Sequence, residues 1–599
     1  MTGTSSQIAT QNSPGSSEPI FAPVRLDTEY RDDGTLVLRN GLTLPPVTYT
    51  LPERLEFWAS RRPDQIYLTE RRGSGRSELA YGGAGKRGGN LAARLLTQSS
   101  AGAPILTLAN NGINHALIIL AAMRIGIPVA VISSNYCVPT AAPWGKLGTI
   151  IEMVKPGLIL ADDPEQGGEV LRALGIVDVE VRSISDLSWL ECAAAADSKV
   201  FHEACDSVGL DTVGKFLFTS GSTGTPKGVP NTHLMMVSNI MAVGVLWPFL
   251  DRETTVLVDW LPWSHTFGGN FCFNLPLCYG GTLHIDDGRP SPAMIQRSID
   301  VLKAVTPTIY FNVPAGYEAL LPHLEADHAL ARKLLGGVRF LFSAAAPLPS
   351  ATFERLARLG EDVIGRAPLI LGGWGSTETT PASTAVYFDS IHPANLGLPL
   401  PGTEIKMVPT GGHMDLLVRG PNVMPGYLGQ PEATAAAYDE EGFYRMGDAG
   451  RLLDRDNPEK GILYEGRLAE NFKLSSGTWV NVSPLRLAVI AESGGLIADA
   501  VVTGEGKDNI GLLVFLNPSN FATLENERQN IVQRLRQILL TYNARQTGSS
   551  TRIARFRVME ELPRGDRDEI TDKGYLNQRA ILLRRAAIVD EMYDGETGF

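Results

Sequence analysis

Cysteine is scarce in this chain. There are five in 599 residues, Cys137, Cys192, Cys205, Cys272 and Cys278, and no two form a Cys-x-x-Cys pair. An odd, scattered set in a long chain argues against a disulfide framework and against structural zinc, and predicts reduced thiols in a cytoplasm. Positive charge is also in deficit. With a formal net charge of −12 the chain is a poor nucleic-acid binder as a whole, and its basic residues act locally. Long apolar runs are missing too. The most hydrophobic region, residues 116–132, is interrupted by Arg124 and Pro128, so it reads as a buried helix and strand and not as a membrane span. The start of the chain has neither a basic segment nor an apolar one. Residues 1–20, rich in Ser, Thr, Gln and Gly, therefore read as a disordered tail, not a signal peptide. No internal repeat is evident. The 44% apolar and 20% charged content suits an ordinary globular protein, long enough for several domains.

What is present centres on residues 215–229. A strand-like apolar run ends at Phe218 and breaks into Thr219-Ser-Gly-Ser-Thr-Gly-Thr-Pro-Lys-Gly228. Gly221, Gly224 and Gly228 free the backbone to turn its N–H groups toward an anion. The hydroxyls of Thr219, Ser220, Ser222, Thr223 and Thr225 add short donors, and Lys227 adds a full charge. Such a loop suits a polyphosphate. It is not the common P-loop, which needs Gly directly before Lys and Ser or Thr directly after, where this chain has Pro226 and Gly228. A helix-like apolar run, 234–246, is expected to follow.

Elsewhere, 104–108, 128–132, 254–259, 339–342 and 368–371 read as strands and 114–124 as a helix. The first three of these along the chain, strand 104–108, helix 114–124 and strand 128–132, form a βαβ pattern with a parallel sheet. Ligands gather where such strands end. Composition changes near residue 466. Strands at 499–503, 510–516 and 552–558, a helix at 531–542 and a helical tail at 576–593 make up a smaller unit. The expected fold is thus an α/β large N-terminal domain with mixed sheets and flanking helices, residues 21–465. A small, mobile α+β C-terminal lid domain, residues 466–599, completes it.

Six further segments carry chemistry: Leu261-Pro-Trp-Ser-His-Thr-Phe-Gly-Gly269, Phe342-Ser-Ala-Ala-Ala-Pro-Leu-Pro349, Gly372-Gly-Trp-Gly-Ser-Thr-Glu-Thr379, Tyr444-Arg-Met-Gly-Asp448, Gly466-Arg467 and Ile570-Thr-Asp-Lys-Gly-Tyr-Leu576. Read singly, each has a plain alternative: a packed core histidine, a strand-to-helix turn, a solvated loop acid, a turn aspartate, an exposed lysine. In combination with the 219–228 loop they resemble the adenylate-forming superfamily of acyl-CoA synthetases, luciferases and carrier-loading adenylation domains. His265 with Gly268-Gly269, the segment Tyr310 to Tyr317, Phe472 to Trp479 and Asp572-Lys-Gly-Tyr575 look most like bacterial feruloyl-CoA synthetases.

The resemblance implies a role for each match. Thr219, Ser220, Gly221, Ser222, Thr223, Gly224 and Lys227 would cradle the phosphates of ATP. Ala344, Ala345 and Ala346 would lie against adenine, with Trp374, Gly375 and Ser376 beside the nucleotide. Thr377 would contact the α-phosphate and the acyl carboxylate. Glu378, with Thr223, would hold Mg²⁺. Asp448 would accept from both ribose hydroxyls, and Arg467 would reach ribose or phosphate oxygens. Trp263, His265, Phe267, Phe311, Gly372 and Gly373 would line the acid pocket, with His265 as wall and gate. Lys573 would serve adenylation. Lys473, Ser476 and Gly477 would serve the coenzyme A step. The superfamily usually has Asp or Lys two residues after the hinge-side Arg. Here that place is Ala469, with Glu470 beside it, so the hinge is expected at this pair. Asp572 stands where the superfamily usually has Gly. The expected activity is ATP-dependent ligation of a hydroxycinnamic acid (ferulate, p-coumarate or caffeate) to coenzyme A, by a cytoplasmic monomer or homodimer that engages neither nucleic acid nor membrane. Alternatives are a domain that loads another acid onto a separate carrier protein, or a nucleotide-binding protein without turnover.

Overall fold

The computed structural model describes residues 19–72, 75–98, 102–189, 198–219, 225–390, 392–410, 413–517, 524–564, 569–570 and 576–594. Its first six-stranded sheet runs, in order, Lys227–Thr232, Val213–Thr219, Val129–Ile132, Ile105–Leu108, Leu158–Ala161 and Val181–Ser183. All neighbours are parallel except the first pair. The three central strands, Val129–Ile132, Ile105–Leu108 and Leu158–Ala161, are buried along their whole length. That is why they appear in the sequence as continuous apolar runs, not as alternations. Helix Ile113–Arg124 connects Ile105–Leu108 to Val129–Ile132, as the βαβ pattern predicts.

A second sheet sets Ile309–Asn312, Phe340–Ser343 and Ile370–Gly375 in parallel, then adds Ala382–Ala385 and Leu398–Pro399 antiparallel. A third runs Val256–Asp259, Thr282–Ile285, Ile66–Arg72, Gly75–Ala80. The fourth is antiparallel: Leu26–Tyr30, Leu36–Asn40, Glu404–Thr410, His413–Arg419, Tyr444–Leu452, Ile462–Arg467. The smaller unit has its own core, from Phe472 to Val558, around Ile497–Thr503, Ile510–Leu516 and Ile553–Val558. The fold class read from the sequence is the fold observed. The change of composition at 466 falls inside the last strand of the fourth sheet, which continues to Arg467.

Three local expectations need correction. The helix expected at 234–246 is present as His233–Leu246, but an unexpected strand precedes it. Lys227–Thr232 returns antiparallel to Val213–Thr219, with Lys227 opposite Thr219, so the segments on either side of the loop pair as a hairpin. Pro230 sits on the sheet edge, where a missing N–H is tolerated. Thr232 then caps helix His233–Leu246, its side chain accepting from Met235 N at 3.2 Å. The helical tail is two helices, Gln578–Arg584 and Ala586–Asp594, broken at Arg585. There the guanidinium turns inward to pair with buried Glu569 at 2.8 Å. Finally, Ile20 was assigned to the tail but packs on the main core beside Phe21. Residues 1–18 lie outside the described residues.

Candidate active site

Strand Ile370–Gly375 ends a buried parallel sheet and delivers the short turn Thr377–Thr379. Gly375 is required there: a Cβ would stand 1.7 Å from the carbonyl oxygen of Pro381. The turn closes through Ser376 N, which donates to Thr379 Oγ1 at 2.9 Å. Thr380 is left at φ +62°, a strained conformation for a β-branched residue and one that clusters at functional sites. Thr377 and Glu378 are thereby held nearly buried at a strand end.

The Glu378 carboxylate is gripped by residues the sequence did not single out for it. Tyr427 donates its hydroxyl to Glu378 Oε1 at 3.0 Å, and the Tyr444 hydroxyl lies 3.2 Å from that of Tyr427 and against the same carboxylate. Met424 N donates to the Glu378 carbonyl at 2.8 Å, and Asn422 Nδ2 donates to the Thr379 carbonyl at 2.8 Å. The same segment also reaches the phosphate hairpin. Leu428 N donates to Gly228 O at 2.8 Å, and Lys227 Nζ stands 4.7 Å over the Tyr427 ring. Tyr427 therefore bridges the loop lysine and the acidic residue. Nothing local in the sequence signalled Tyr427, whereas Tyr444 stood in the motif around Asp448 without a role. Burial raises the pKa of both phenols, and Glu378 adds to the effect, so both stay protonated donors. A hydrogen bond to a charged group contributes about 1.5–3 kcal/mol, so Tyr427→Phe is expected to weaken MgATP use by roughly tenfold or more. The check is the KM for ATP measured against Mg²⁺ concentration.

Glu378 fits a hard divalent cation. Its carboxylate keeps lone pairs beyond those used by Tyr427 and Tyr444. Among the described residues no cluster of three or more His, Cys, Asp or Glu could hold a metal alone. Magnesium commonly takes one or two carboxylates together with phosphates and water, and the Glu378 carboxylate suits that need.

Asp448 lies 4% exposed in strand Tyr444–Leu452. Trp374 Nε1 donates to its Oδ2 at 2.8 Å, while Arg467 Nε and the Tyr464 hydroxyl approach Oδ1 at 3.1 and 3.4 Å. Trp374 is thus the brace between the two motifs, 74 residues apart in sequence. Arg467 is further held by donating to Met446 O at 3.1 Å, and the Asp448 charge beside it pushes its pKa up. A fixed, ionised carboxylate held this way is suited to accept from a ligand hydroxyl.

Of the alanines that follow strand Phe340–Ser343, Ala345 is exposed with φ +74°. The next wall begins at His265, half-buried just before a π-helical turn, Phe267–Cys272, in which Phe273 N bonds back five residues to Gly268 O. Such turns are rare and recur at functional sites. Gly268 and Gly269 are there for close approach: added Cβ atoms would stand 2.4 Å from Leu261 O and 2.1 Å from Trp263 O. Phe267 meets Phe311 at 6.0 Å and Phe342 at 6.3 Å, with Phe271 and Trp247 behind them. Gly373 faces the Phe342 ring, where a Cβ would come within 2.9 Å, and Gly372 sits beside Ser343. Trp263 is not with them. Its ring is buried against His115 and Phe273.

On the smaller unit, Ala469 and Glu470 form the short turn Leu468–Glu470, directly after Arg467. Burial raises the pKa of Glu470, opposed by Arg486 and Arg467. Lys473, Ser476 and Gly477 are exposed positions of a hairpin, Phe472–Lys473 with Trp479–Val480, whose turn needs Gly477 at φ +79°. Lys473 Nζ lies 5.0 Å over the Trp479 ring, and that ring meets His413 of the large domain edge-on at 6.4 Å. Ser220, Gly221, Ser222, Thr223, Gly224 and Lys573 lie outside the described residues.

Two family comparisons cover most of the chain: AMP-binding enzyme over residues 55–428, and AMP-binding enzyme C-terminal domain over residues 471–597. The chain belongs to the AMP-binding enzyme family. Among curated family members, an anthranilate–CoA ligase of Pseudomonas aeruginosa is 31% identical over 363 residues, 59% of this chain and 64% of that protein. A feruloyl-CoA synthase of an Amycolatopsis species is 33% identical over 262 residues, 41% of this chain and 48% of that one. The chain thus spans about half to two thirds of the length of these relatives. Other matched relatives are named for long-chain fatty acids. Among solved structures, the anthranilate CoA ligase AuaEII in complex with anthranoyl-AMP shares the fold, with TM-score 0.70 at 18% identity over 91% of this chain and 99% of that one. No helix among the described residues is long and apolar enough to cross a membrane. The four described cysteines are free.

Proposed function

We propose that this protein is an AMP-forming acid–CoA ligase whose acid is a single-ring aryl acid of the hydroxycinnamate type. The observation that carries the reading is convergence. Glu378, the Trp374–Asp448–Arg467 group and the Lys227 hairpin come together where strand Ile370–Gly375 ends, beside a wall of phenylalanines. In the first half-reaction the acid's carboxylate oxygen attacks the α-phosphorus of ATP, the bond to the β-phosphate oxygen breaks, and pyrophosphate leaves. Both reactants are anionic, so the site must offset charge and align them. Lys227 and Lys573 supply positive charge, Thr377 orients the carboxylate against the phosphate, and Asp448 with Arg467 fixes the ribose. Magnesium bound at Glu378 would offset phosphate charge. In the second half-reaction the coenzyme A sulfur attacks the acyl carbon and AMP departs. Closure by the smaller unit, hinged near Ala469 and Glu470, would separate the two steps.

The choice of acid rests on depth. Behind half-buried Phe267, the rings of Phe271, Phe311, Phe342 and Trp247 are each under 5% exposed and packed on one another, an arrangement with little room for a long alkyl chain. Flat aromatic walls suit an aryl group. Incubation with ATP, coenzyme A and ferulate should give the red-shifted absorbance of an aryl-acyl thioester, with AMP and pyrophosphate in equal amounts. A panel that favours straight-chain fatty acids would refute the aryl reading, and acyl transfer only to a carrier protein would refute the ligase reading. Phe311→Ala should lengthen the accepted acid. Because Phe→Ala in a core costs about 3–5 kcal/mol, Phe311→Leu is scored beside it. An unchanged chain-length profile in a folded variant would remove Phe311 from the pocket.

A further inference from the structure

Behind the turn that follows His265 sits a buried ammonium that the reaction above does not use. Lys215 is 1% exposed on strand Val213–Thr219. Its Nζ donates to the carbonyl oxygen of Gly269, lies 3.5 Å from Asn270 Oδ1, and stands 4.8 Å over the Phe273 ring. Its cross-strand partner in the phosphate hairpin is Asn231. Asn231 Oδ1 accepts from Nδ2 of the same Asn270 at 2.8 Å, and that Nδ2 also donates to Thr266 Oγ1 at 3.0 Å. One cross-strand pair at the base of the hairpin therefore holds two consecutive residues of the π-helical turn. From the opposite side, Gly268 and Gly269 seat the turn on the carbonyls of Leu261, Pro262 and Trp263.

A buried lysine is uncommon, and its charge is costly to desolvate without hydrogen bonds. Burial alone lowers the Lys215 pKa to about 7. The imidazoles that feel its charge, His115 and His233, are themselves kept neutral, with pKa values lowered to about 4 mainly by burial. A hydrocarbon side chain would fill this volume without that cost, so the placed donor calls for a reason. We propose that Lys215 is a positioning residue which, with Asn231, locks the acid-pocket turn to the phosphate hairpin and so sets the separation between the acid's carboxylate and the α-phosphorus. This rests on the acid pocket assigned above. The hairpin tip presents Thr219 and Lys227 to phosphate, its base grips the turn that begins at Phe267, and the paired strands between them act as a rigid spacer.

Two measurements on full-length Lys215→Met test it, since Met keeps a long side chain and removes the ammonium. Amide hydrogen exchange across residues 265–273 is expected to quicken by about tenfold or more, with the strands of the first sheet unchanged. The KM for the acid should rise by about tenfold while the KM for ATP stays within about twofold, because the loosened turn belongs to the acid's pocket; a misplacement of about 1 Å can cost as much as about 10²-fold. If Lys215→Met does not fold, Asn231→Ala is expected to show the same two effects more weakly. Unchanged exchange and an unchanged acid KM in a folded variant would overturn the proposal, as would a parallel rise in both KM values. If the wild-type protein activates no acid at all, the ligase reading fails by itself, and the exchange measurement still decides whether Lys215 and Asn231 hold the turn.

Discussion

Glu378→Gln is expected to cut ATP–pyrophosphate exchange by on the order of 10²–10³, the usual consequence of deleting one preorganised electrostatic group. Gln keeps the size of the side chain and an oxygen to accept from Tyr427, so the turn Thr377–Thr379 keeps its bonds to Ser376, Asn422 and Met424. What is lost is the negative charge that would draw a magnesium ion to the phosphates. The expected signature is a steep rise in the Mg²⁺ concentration needed for half-maximal exchange, with a melting temperature close to that of the wild type. Chelation of Mg²⁺ should silence both proteins. Exchange within about threefold of wild type together with an unchanged Mg²⁺ requirement would show that the acid acts only in holding Tyr427 and Tyr444, since losing a catalytic charge costs far more.

Lys573→Ala is the second large effect, and it is selective. Adenylation should fall by on the order of 10²–10³. Thioester formation from synthetic acyl-adenylate and coenzyme A should stay within about threefold of wild type, because that half-reaction no longer brings a carboxylate against a triphosphate. The described site explains the demand for a second cation. Lys227 stands over the Tyr427 ring, and Arg467 is committed to Asp448, so neither is placed to neutralise the attacking carboxylate. Intact exchange in Lys573→Ala, or an equal loss in both half-reactions, would remove it from the adenylation step.

Legibility followed the range of the interactions. Strands Ile105–Leu108, Val129–Ile132 and Phe340–Ser343 were readable because burial on both faces writes an unbroken apolar run into the chain. The turn at Gly372–Thr379 was readable because its glycine answers a steric demand from a residue six places on, Pro381. The strand Lys227–Thr232 was not, because a proline is a turn signal locally and becomes acceptable only once the strand lies on a sheet edge. Arg585 was taken into one long helix because its partner, Glu569, is a tertiary contact. Trp263 shows the same limit. It shares a motif with His265 and Phe267, yet the backbone turns it into the core against His115.

By itself, then, the order of residues determined the buried parallel strands, the change of composition near residue 466 and the motifs that resemble a nucleotide site, since each follows from an apolar run, local composition or a contiguous motif. Only the tertiary structure decided that Tyr427 joins Lys227 to Glu378, that Trp374 braces Asp448, and that Lys215 with Asn231 grips the turn after His265. Those bonds form between groups 39 to 74 residues apart or across separate elements. Their energy depends on distance and desolvation in the folded chain, which no local pattern of side chains encodes.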